Sequence, residues 1–240
     1  MKNNFLIIEY NELSSTQEEA KILLNDGRVH PNTAIATSSQ TAGRAKNIRT
    51  WSSERGDLAC TIILKPSKEK DFHAQITYIA AIAVSNAIEK FLPNNLISHK
   101  WVNDVLLENR KVSGILLEKY KLDFILVGIG VNILSKKFIA ELNAIGLADI
   151  EIKYNKLNFK ELLQVILEEF FKLYENWELF GFEKIRAYWL SKAVNLGKEI
   201  TIKITDQSRC GVFFGIDNEG NLQLLNNQKI ELIYAGDVFL

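Results

Sequence analysis

The chain has 240 residues, 47% of them hydrophobic, which suits one large domain, or one plus a small appendage, with a core that needs no disulfide support. Its 29 basic and 29 acidic side chains cancel, so no global charge holds it to nucleic acid or an acidic membrane. Two cysteines, Cys60 and Cys210, lie in apolar runs without CxxC or Cys/His spacing, which excludes a disulfide framework and predicts buried free thiols in a reducing, cytoplasmic setting.

Phe5 to Tyr10, rich in Ile and aromatics, reads as a strand. The opening residues acquire acids too early for a signal peptide, and no apolar stretch reaches the roughly 20 residues of a membrane helix. Ser15-Thr16-Gln17-Glu18 has capping-box spacing before a helix carrying Ala20, Leu23 and Leu24 that stops at Gly27. Thr33 to Thr37 is a short strand. From Ser38 to Gly56 the chain is polar, basic and small, a long loop of the kind that is functional or disordered. Leu58 to Leu64 is a continuous apolar run, expected to be a strand buried on both faces. Phe72 to Phe91 has helical spacing and is closed by Pro93.

Three strands are expected next, Ile97 to Leu107, Lys111 to Glu118 and Phe124 to Ile133, with Asn109-Arg110 as a hairpin turn between the first two. A weaker helical pattern covers Lys136 to Ile145. Phe159 to Trp177 is an amphipathic helix whose apolar face is core packing, and Phe182 to Leu190 reads as another helix. Beyond Val194 the texture changes to short strands, Ile200 to Ile204, Gly211 to Ile216, Leu222 to Leu225 and Ile230 to Tyr234, separated by turns such as Asp217 to Gly220. This predicts a small β-barrel. The plan is an α+β domain over residues 1–194 followed by a β-module over 195–240, with no helix-turn-helix before the first strand.

The densest chemistry lies in Lys100-Trp101-Val102-Asn103-Asp104 and the following Lys111 to Glu118. A tight turn between them would bring Lys100, Asn103, Asp104 and Lys111 to one mouth of the sheet. There ammonium groups can stabilise a transferring phosphoryl group and a carboxylate can bind a metal or accept a proton. The same spacing also suits solvated charges at the ends of an ordinary hairpin. In the loop, Arg44, Lys46 and Arg49 around Gly43 can fold over a polyphosphate and Trp51 can stack on a base. A solvated basic loop pinned by its tryptophan fits equally.

Gly128-Ile129-Gly130 is not a dinucleotide fingerprint, because Ile133 stands at the third glycine position and no helix follows. These glycines instead predict close backbone approach, with Asn132 offering its amide at a strand end. His30, His73 and His99 lack partners at catalytic or metal spacing and are expected at the surface. No catalytic triad pattern is present.

Together these segments resemble biotin protein ligase. Lys100 to Asp104 is similar to that family's KWPND run with Val102 in the proline position. Lys111 to Glu118 resembles its K-x-x-G-I-L-x-E strand, and Gly128 to Asn132 its G-I-G-I-N segment. Ser15-Thr16-Gln17 is similar to Ser-Thr-Asn, and Gln40 to Trp51 to Q-x-A-G-R-G-R-x-G-R-x-W. Residues 195–240 resemble its C-terminal SH3-like barrel.

The resemblance implies a class II synthetase-like mixed sheet and two half-reactions. In the first, biotin attacks the α-phosphate of Mg-ATP to give biotinyl-AMP and pyrophosphate. In the second, a lysine of a carboxylase's biotin carboxyl carrier domain attacks the mixed anhydride. It further implies that Ser15, Thr16 and Gln40 bind the biotin ureido ring, with Arg44, Lys111 and Gly114 also at biotin. Arg44, Lys46, Arg49, Trp51, Asn103 and Asn132 would serve ATP. Lys111, Arg44 and Asp104 would be catalytic, with Asp104 near the Mg2+. Ala45, Lys46 and Ile48 replace the family's glycine, arginine and glycine, so the loop is expected to let biotinyl-AMP escape faster. Lipoate ligases share the fold and adenylation logic and are the alternative, beside a non-catalytic biotin-binding module. Neither nucleic acid nor membrane is an expected partner. The chain is a monomer or a homodimer, the latter if the strand Phe124 to Ile133 pairs across an edge.

Overall fold

Seven strands of the computed structural model, which describes residues 5–46, 49–92, 96–134, 143–150, 158–204 and 207–239, build one mixed sheet. In chain order these are β1 (Leu6–Tyr10), β2 (Thr33–Thr37), β5 (Leu58–Leu64), β6 (Ile97–Lys100), β7 (Asp104–Leu107), β8 (Arg110–Tyr120) and β9 (Phe124–Val131). A two-residue ribbon, β3 (Gly43–Arg44) and β4 (Thr50–Trp51), lies within the long loop. The sheet order is β1-β2-β5-β9-β8-β7-β6, with β1 parallel to β2 and every other neighbour antiparallel. All seven residues of β5 are buried. Its unbroken apolar run therefore marks a strand covered on both faces, as expected.

Helices cover the two faces unequally. On one side lie α2 (Ile76–Phe91), α3 (Phe159–Phe180) and α4 (Glu183–Ser191), with Tyr78, Phe170, Trp177 and Trp189 filling the main core. On the other, α1 (Thr16–Asn25) packs Ala20, Leu23 and Leu24 against Ile35, Ile63 and Leu126. Because side chains alternate along a strand, the face that carries Leu126 continues through Gly128 and Gly130. Beyond the reach of α1, that face is left with almost no side chain. No described helix is long and apolar enough to cross a membrane.

Several expectations need correction. Ile97 to Leu107 is two antiparallel strands, because the chain turns back at Trp101 to Asn103. The next hairpin turns at Glu108 and Asn109, one residue earlier than expected, with φ of 50° and 62° at its two central residues. The helix expected from Phe72 begins as a 3-10 segment, Lys70–Gln75. Of the helix expected over Lys136 to Ile145, residues 136–142 lie outside the described residues. The described end instead runs beside Lys111, which accepts from Ile145 N at 2.9 Å and donates to Asn143 O at 2.9 Å.

Cys60 is buried, and burial pushes its thiol up to about 12, but Cys210 is exposed. His30 is exposed as expected, whereas His73 and His99 are buried. His99 lies between Ser85 Oγ at 2.7 Å and the Trp189 carbonyl at 3.3 Å, its ring stacked on Trp189. Burial pulls its pKa down to about 4, against the bond to Trp189 and with help from the Lys192 charge. The folded chain therefore keeps His99 neutral where the unfolded chain protonates it. The contribution of up to about 3 kcal/mol is fully present above the ordinary histidine pKa and is lost as pH falls from about 6.5 to 4. Denaturant unfolding should show this decline, and His99→Gln should flatten it. An equal slope in the variant would assign the decline to other groups.

The C-terminal strands β10 (Glu199–Ile204), β11 (Gln207–Ile216), β12 (Leu222–Asn226), β13 (Lys229–Ile233) and β14 (Asp237–Phe239) form an antiparallel sheet in the order β13-β12-β11-β10-β14. This is the antiparallel architecture expected of an SH3-like module. Among the described residues, however, no ladder joins β13 to β14 to close it into a barrel.

Candidate active site

A cleft opens where α1 stops covering the sheet. Its floor is made of small residues: Gly128 and Gly130 of β9, with Ala59 opposite Gly130 on one side and Gly114 opposite it on the other. At one end stands the start of α1. Ser15 is its N-cap, but its side chain makes no capping bond, so the expected capping box is not formed; Glu18 turns to Lys21 and Arg44 instead. Gln40 Oε1 accepts from Thr16 N at 2.9 Å and Thr16 Oγ1 at 3.3 Å, while Thr61 Oγ1 donates to Thr16 Oγ1 at 2.8 Å. Gln17 Nε2 donates to the Leu116 carbonyl at 3.2 Å.

Three buried polar atoms at this cleft, Ser15 Oγ, Gln17 Oε1 and Trp51 Nε1, have no hydrogen-bond partner among the described residues. Leaving such groups unpaired costs about 1–3 kcal/mol each. A ligand that carries both donors and acceptors would recover that cost.

The charged end depends on a bulge. Counting back from Gly114, strict alternation would put Lys111 on the opposite face of β8. The β7–β8 register slips between Val105 and Leu106, leaving Val112 unpaired, and Lys111 comes round to the cleft. Its Nζ lies 2.7 Å from Asp104 Oδ1 and 5.5 Å from the Trp51 ring. Asn103, in the turn before β7, donates to the Ile115 carbonyl at 2.8 Å and also lines the cleft.

Arg44 pairs with Glu118 at 2.8 Å and with Glu18, and Lys21 pairs with Glu18 at 2.9 Å and Glu118 at 3.6 Å. Lys21 and then Arg44 hold the Glu18 carboxyl below its usual range, against its partial burial. Lys46 reaches across to donate to the Gly236 carbonyl at 2.7 Å. The Trp51 indole fills a slot: a β-carbon at Gly130 would lie 2.4 Å from its Cε2, and one at Gly114 would lie 2.8 Å from its Cζ3.

Of the residues singled out in the sequence, Ser15, Thr16, Gln40, Arg44, Lys46, Trp51, Asn103, Lys111 and Gly114 line the cleft, and Asp104 stands one ion pair behind Lys111. Lys100 and Arg49 do not line it. Asn132 does not either; its amide ties the Lys111 and Ile145 carbonyls together, each at 3.3 Å. Sequence reasoning missed Gln17, Lys21, Glu18 and Glu118 as members of the site. Gln17, Glu18 and Glu118 had a signal, since each falls within a quoted motif.

A glycine-floored cleft, uncharged polar groups at one end and paired cations at the other define a small-molecule-binding α+β domain followed by a β-module. The chain belongs to the biotin/lipoate A/B protein ligase family, which its residues 11–132 match, and residues 196–240 match the biotin protein ligase C terminal domain. It is 32% identical over 241 residues to the bifunctional ligase/repressor BirA of Bacillus subtilis (strain 168), covering 98% of this chain and 74% of that protein. It is 30% identical over 213 residues to the biotin--[acetyl-CoA-carboxylase] ligase of Paracoccus denitrificans, covering 85% and 89%. A solved structure of biotin protein ligase from Aquifex aeolicus in complex with biotin and ATP superposes with a TM-score of 0.84 at 28% identity, covering 98% of this chain and 97% of that one.

Proposed function

We propose that this chain is an AMP-forming biotin–protein ligase that activates biotin with ATP and passes the biotinyl group to a lysine of a carboxylase's biotin carboxyl carrier domain. The observation that carries this reading is the polarity of the cleft. Its closed end offers unpaired, uncharged hydrogen-bonding groups, and its mouth offers Lys111 held by Asp104. A neutral ureido ring suits the first and a carboxylate beside a phosphate suits the second.

The biotin carboxylate forms a bond to the α-phosphorus as the α–β phosphoanhydride breaks and pyrophosphate leaves. The acceptor amine then bonds the acyl carbon as AMP leaves. Ser15, Thr16, Gln17 and Gln40 would hold the ring, and Lys111 and Arg44 the developing phosphate charge. Asn103, Lys46 and Trp51 would contact the nucleotide. Among the described residues no three of His, Cys, Asp and Glu converge as a metal site. Asp104 beside Lys111 therefore fits Mg2+ only as an added ligand to a cation already carried by ATP oxygens. The catalytic unit is assigned to residues 1–194, the β-module to 195–240, and the reaction to the cytoplasm.

Pyrophosphate release from Mg-ATP without acceptor tests the reading. Release with biotin and not with lipoate is expected. Release with lipoate alone would transfer the chain to the sister branch, and binding of biotin without release would make it a sensor.

The altered loop gives a second expectation. Ala45→Gly with Lys46→Arg should slow escape of biotinyl-AMP by up to about tenfold, the worth of one additional charge-assisted bond. Equal off-rates, measured by trapping the released adenylate, would show that these two positions do not set retention.

A further inference from the structure

We infer that Tyr78 is a positioning residue that couples the C-terminal module to the turn carrying Asn103 and Asp104. Tyr78 lies in the first turn of α2, fully buried, with its ring edge-on to Trp189 and Phe182. Its hydroxyl accepts from Trp101 Nε1 at 2.9 Å and donates to the Gly220 carbonyl. Trp101 is itself buried and is the first residue of the turn between β6 and β7. Gly220 closes the tight turn between β11 and β12. One hydroxyl thus joins the module to the site's turn by two buried bonds.

The module side is built to meet it. Gly220 has φ of +96°, and a β-carbon there would lie 3.1 Å from Tyr78 Cε2, so the turn gives the phenol ring room. The turn is ordered from within, Asp217 Oδ1 accepting from Glu219 N at 3.0 Å and Asn221 N at 2.7 Å. It is also pinned from the 3-10 segment that leads into α2 and from α4, because Gln75 Nε2 donates to the Asn218 carbonyl and Arg186 Nη1 to Asn218 Oδ1, each at 2.6 Å.

The site side is short. Two residues after Trp101, the Asn103 carbonyl accepts from Ile115 N at 2.9 Å, and one residue later Asp104 pairs with Lys111 at 2.7 Å. Rotation of the Trp101 indole therefore has little chain in which to dissipate before it reaches the Lys111 ammonium. The Tyr78 hydroxyl touches no reacting group. It acts by fixing Trp101.

Tyr78→Phe removes the hydroxyl and keeps the ring. The kinetic half of the test rests on the adenylation reading; the exchange half does not. We expect kcat for biotin-dependent pyrophosphate release to fall about tenfold, the scale of a sub-ångström misplacement, with KM for biotin within about twofold. We also expect faster hydrogen exchange at the Ile115 amide, which reports the site's turn, together with Glu219 and Asn221, which report the module's turn. Faster exchange at Glu219 and Asn221 alone, with kcat unchanged, would overturn the coupling. If the unaltered chain releases no pyrophosphate, the adenylation reading fails and the exchange pattern alone decides the coupling.

Should the variant not fold, native-state exchange of the unaltered chain in low denaturant makes the same comparison. The Trp101 indole N–H and the Glu219 and Asn221 amides should open together. Opening of the module's turn with Trp101 still protected would refute the inference.

Discussion

Lys111→Ala should lower biotin-dependent pyrophosphate release by about 10²- to 10³-fold, the usual cost of removing one preorganised donor to a developing oxyanion. The fold should survive. The Lys111 side chain is about one-third exposed, so truncation opens no cavity in the core. Its ion pair with Asp104 is partly solvated, and such pairs contribute no more than about 1 kcal/mol. The thermal midpoint should therefore stay close to that of the unaltered chain, which separates a chemical effect from a folding effect.

Lys111→Arg is the informative companion. It keeps the charge but places a planar fork where a β-carbon at Gly114 would already lie 3.2 Å from the lysine Cε, and close to the Trp51 ring. Recovery should be partial at best. Near-normal turnover in Lys111→Ala would remove the lysine from the mechanism and leave Arg44 to carry the phosphate charge.

What could be read from the sequence followed from periodicity. The apolar run of β5 and the amphipathic stripe of α3 each satisfy a local rule, and the chain obeys it; the hairpin before β8 forms too, with its turn one residue earlier than the pattern placed it. The site was legible as motifs but not as geometry. Lys111 faces the cleft only because Val112 is bulged, and nothing in a period-two pattern announces a bulge. The Ser15 side chain looked like a helix cap, yet it lines the cleft without a hydrogen-bond partner, while Gln40 and Thr61 from distant segments bond the neighbouring Thr16.

His99, on strand β6, looked incidental because its partners, Ser85 and the Trp189 carbonyl, come from two helices. Glu118 closed a motif with no evident task until the fold brought Arg44 to it. In each case the missing information was a contact made by residues far apart in the chain. The glycines are a middle case. Their pattern predicted close approach, and the structure shows that what approaches is the Trp51 indole at Gly130 and the Gln17 side chain at Gly128.

That slot gives the second large effect. Gly130→Ala should raise the apparent KM for ATP by at least about tenfold, the loss expected when one base-stacking contact of about 1–3 kcal/mol is displaced. It should also lower stability by about 1–3 kcal/mol, the usual cost of overpacking. Gly130 does not have a positive φ, so alanine strains no backbone there, and the effect is steric. The new methyl would lie 2.4 to 2.8 Å from three atoms of a rigid ring, and the ring must leave.

Trp51 cannot leave alone. It pairs with Gly43 in the β3–β4 ribbon, and Arg44 follows at the next register position, so the arm carrying Arg44 moves with the indole. Gly128→Ala is the control. A methyl there would meet Gln17 Nε2 at 3.1 Å, the far end of a flexible side chain, and should weaken biotin more than ATP. Trp51→Phe in the Gly130→Ala background should recover stability by shrinking the ring, without restoring all of the ATP affinity. If Gly128→Ala and Gly130→Ala raised the KM for ATP equally, the effect would belong to the sheet as a whole, and Trp51 would have no special hold on the nucleotide.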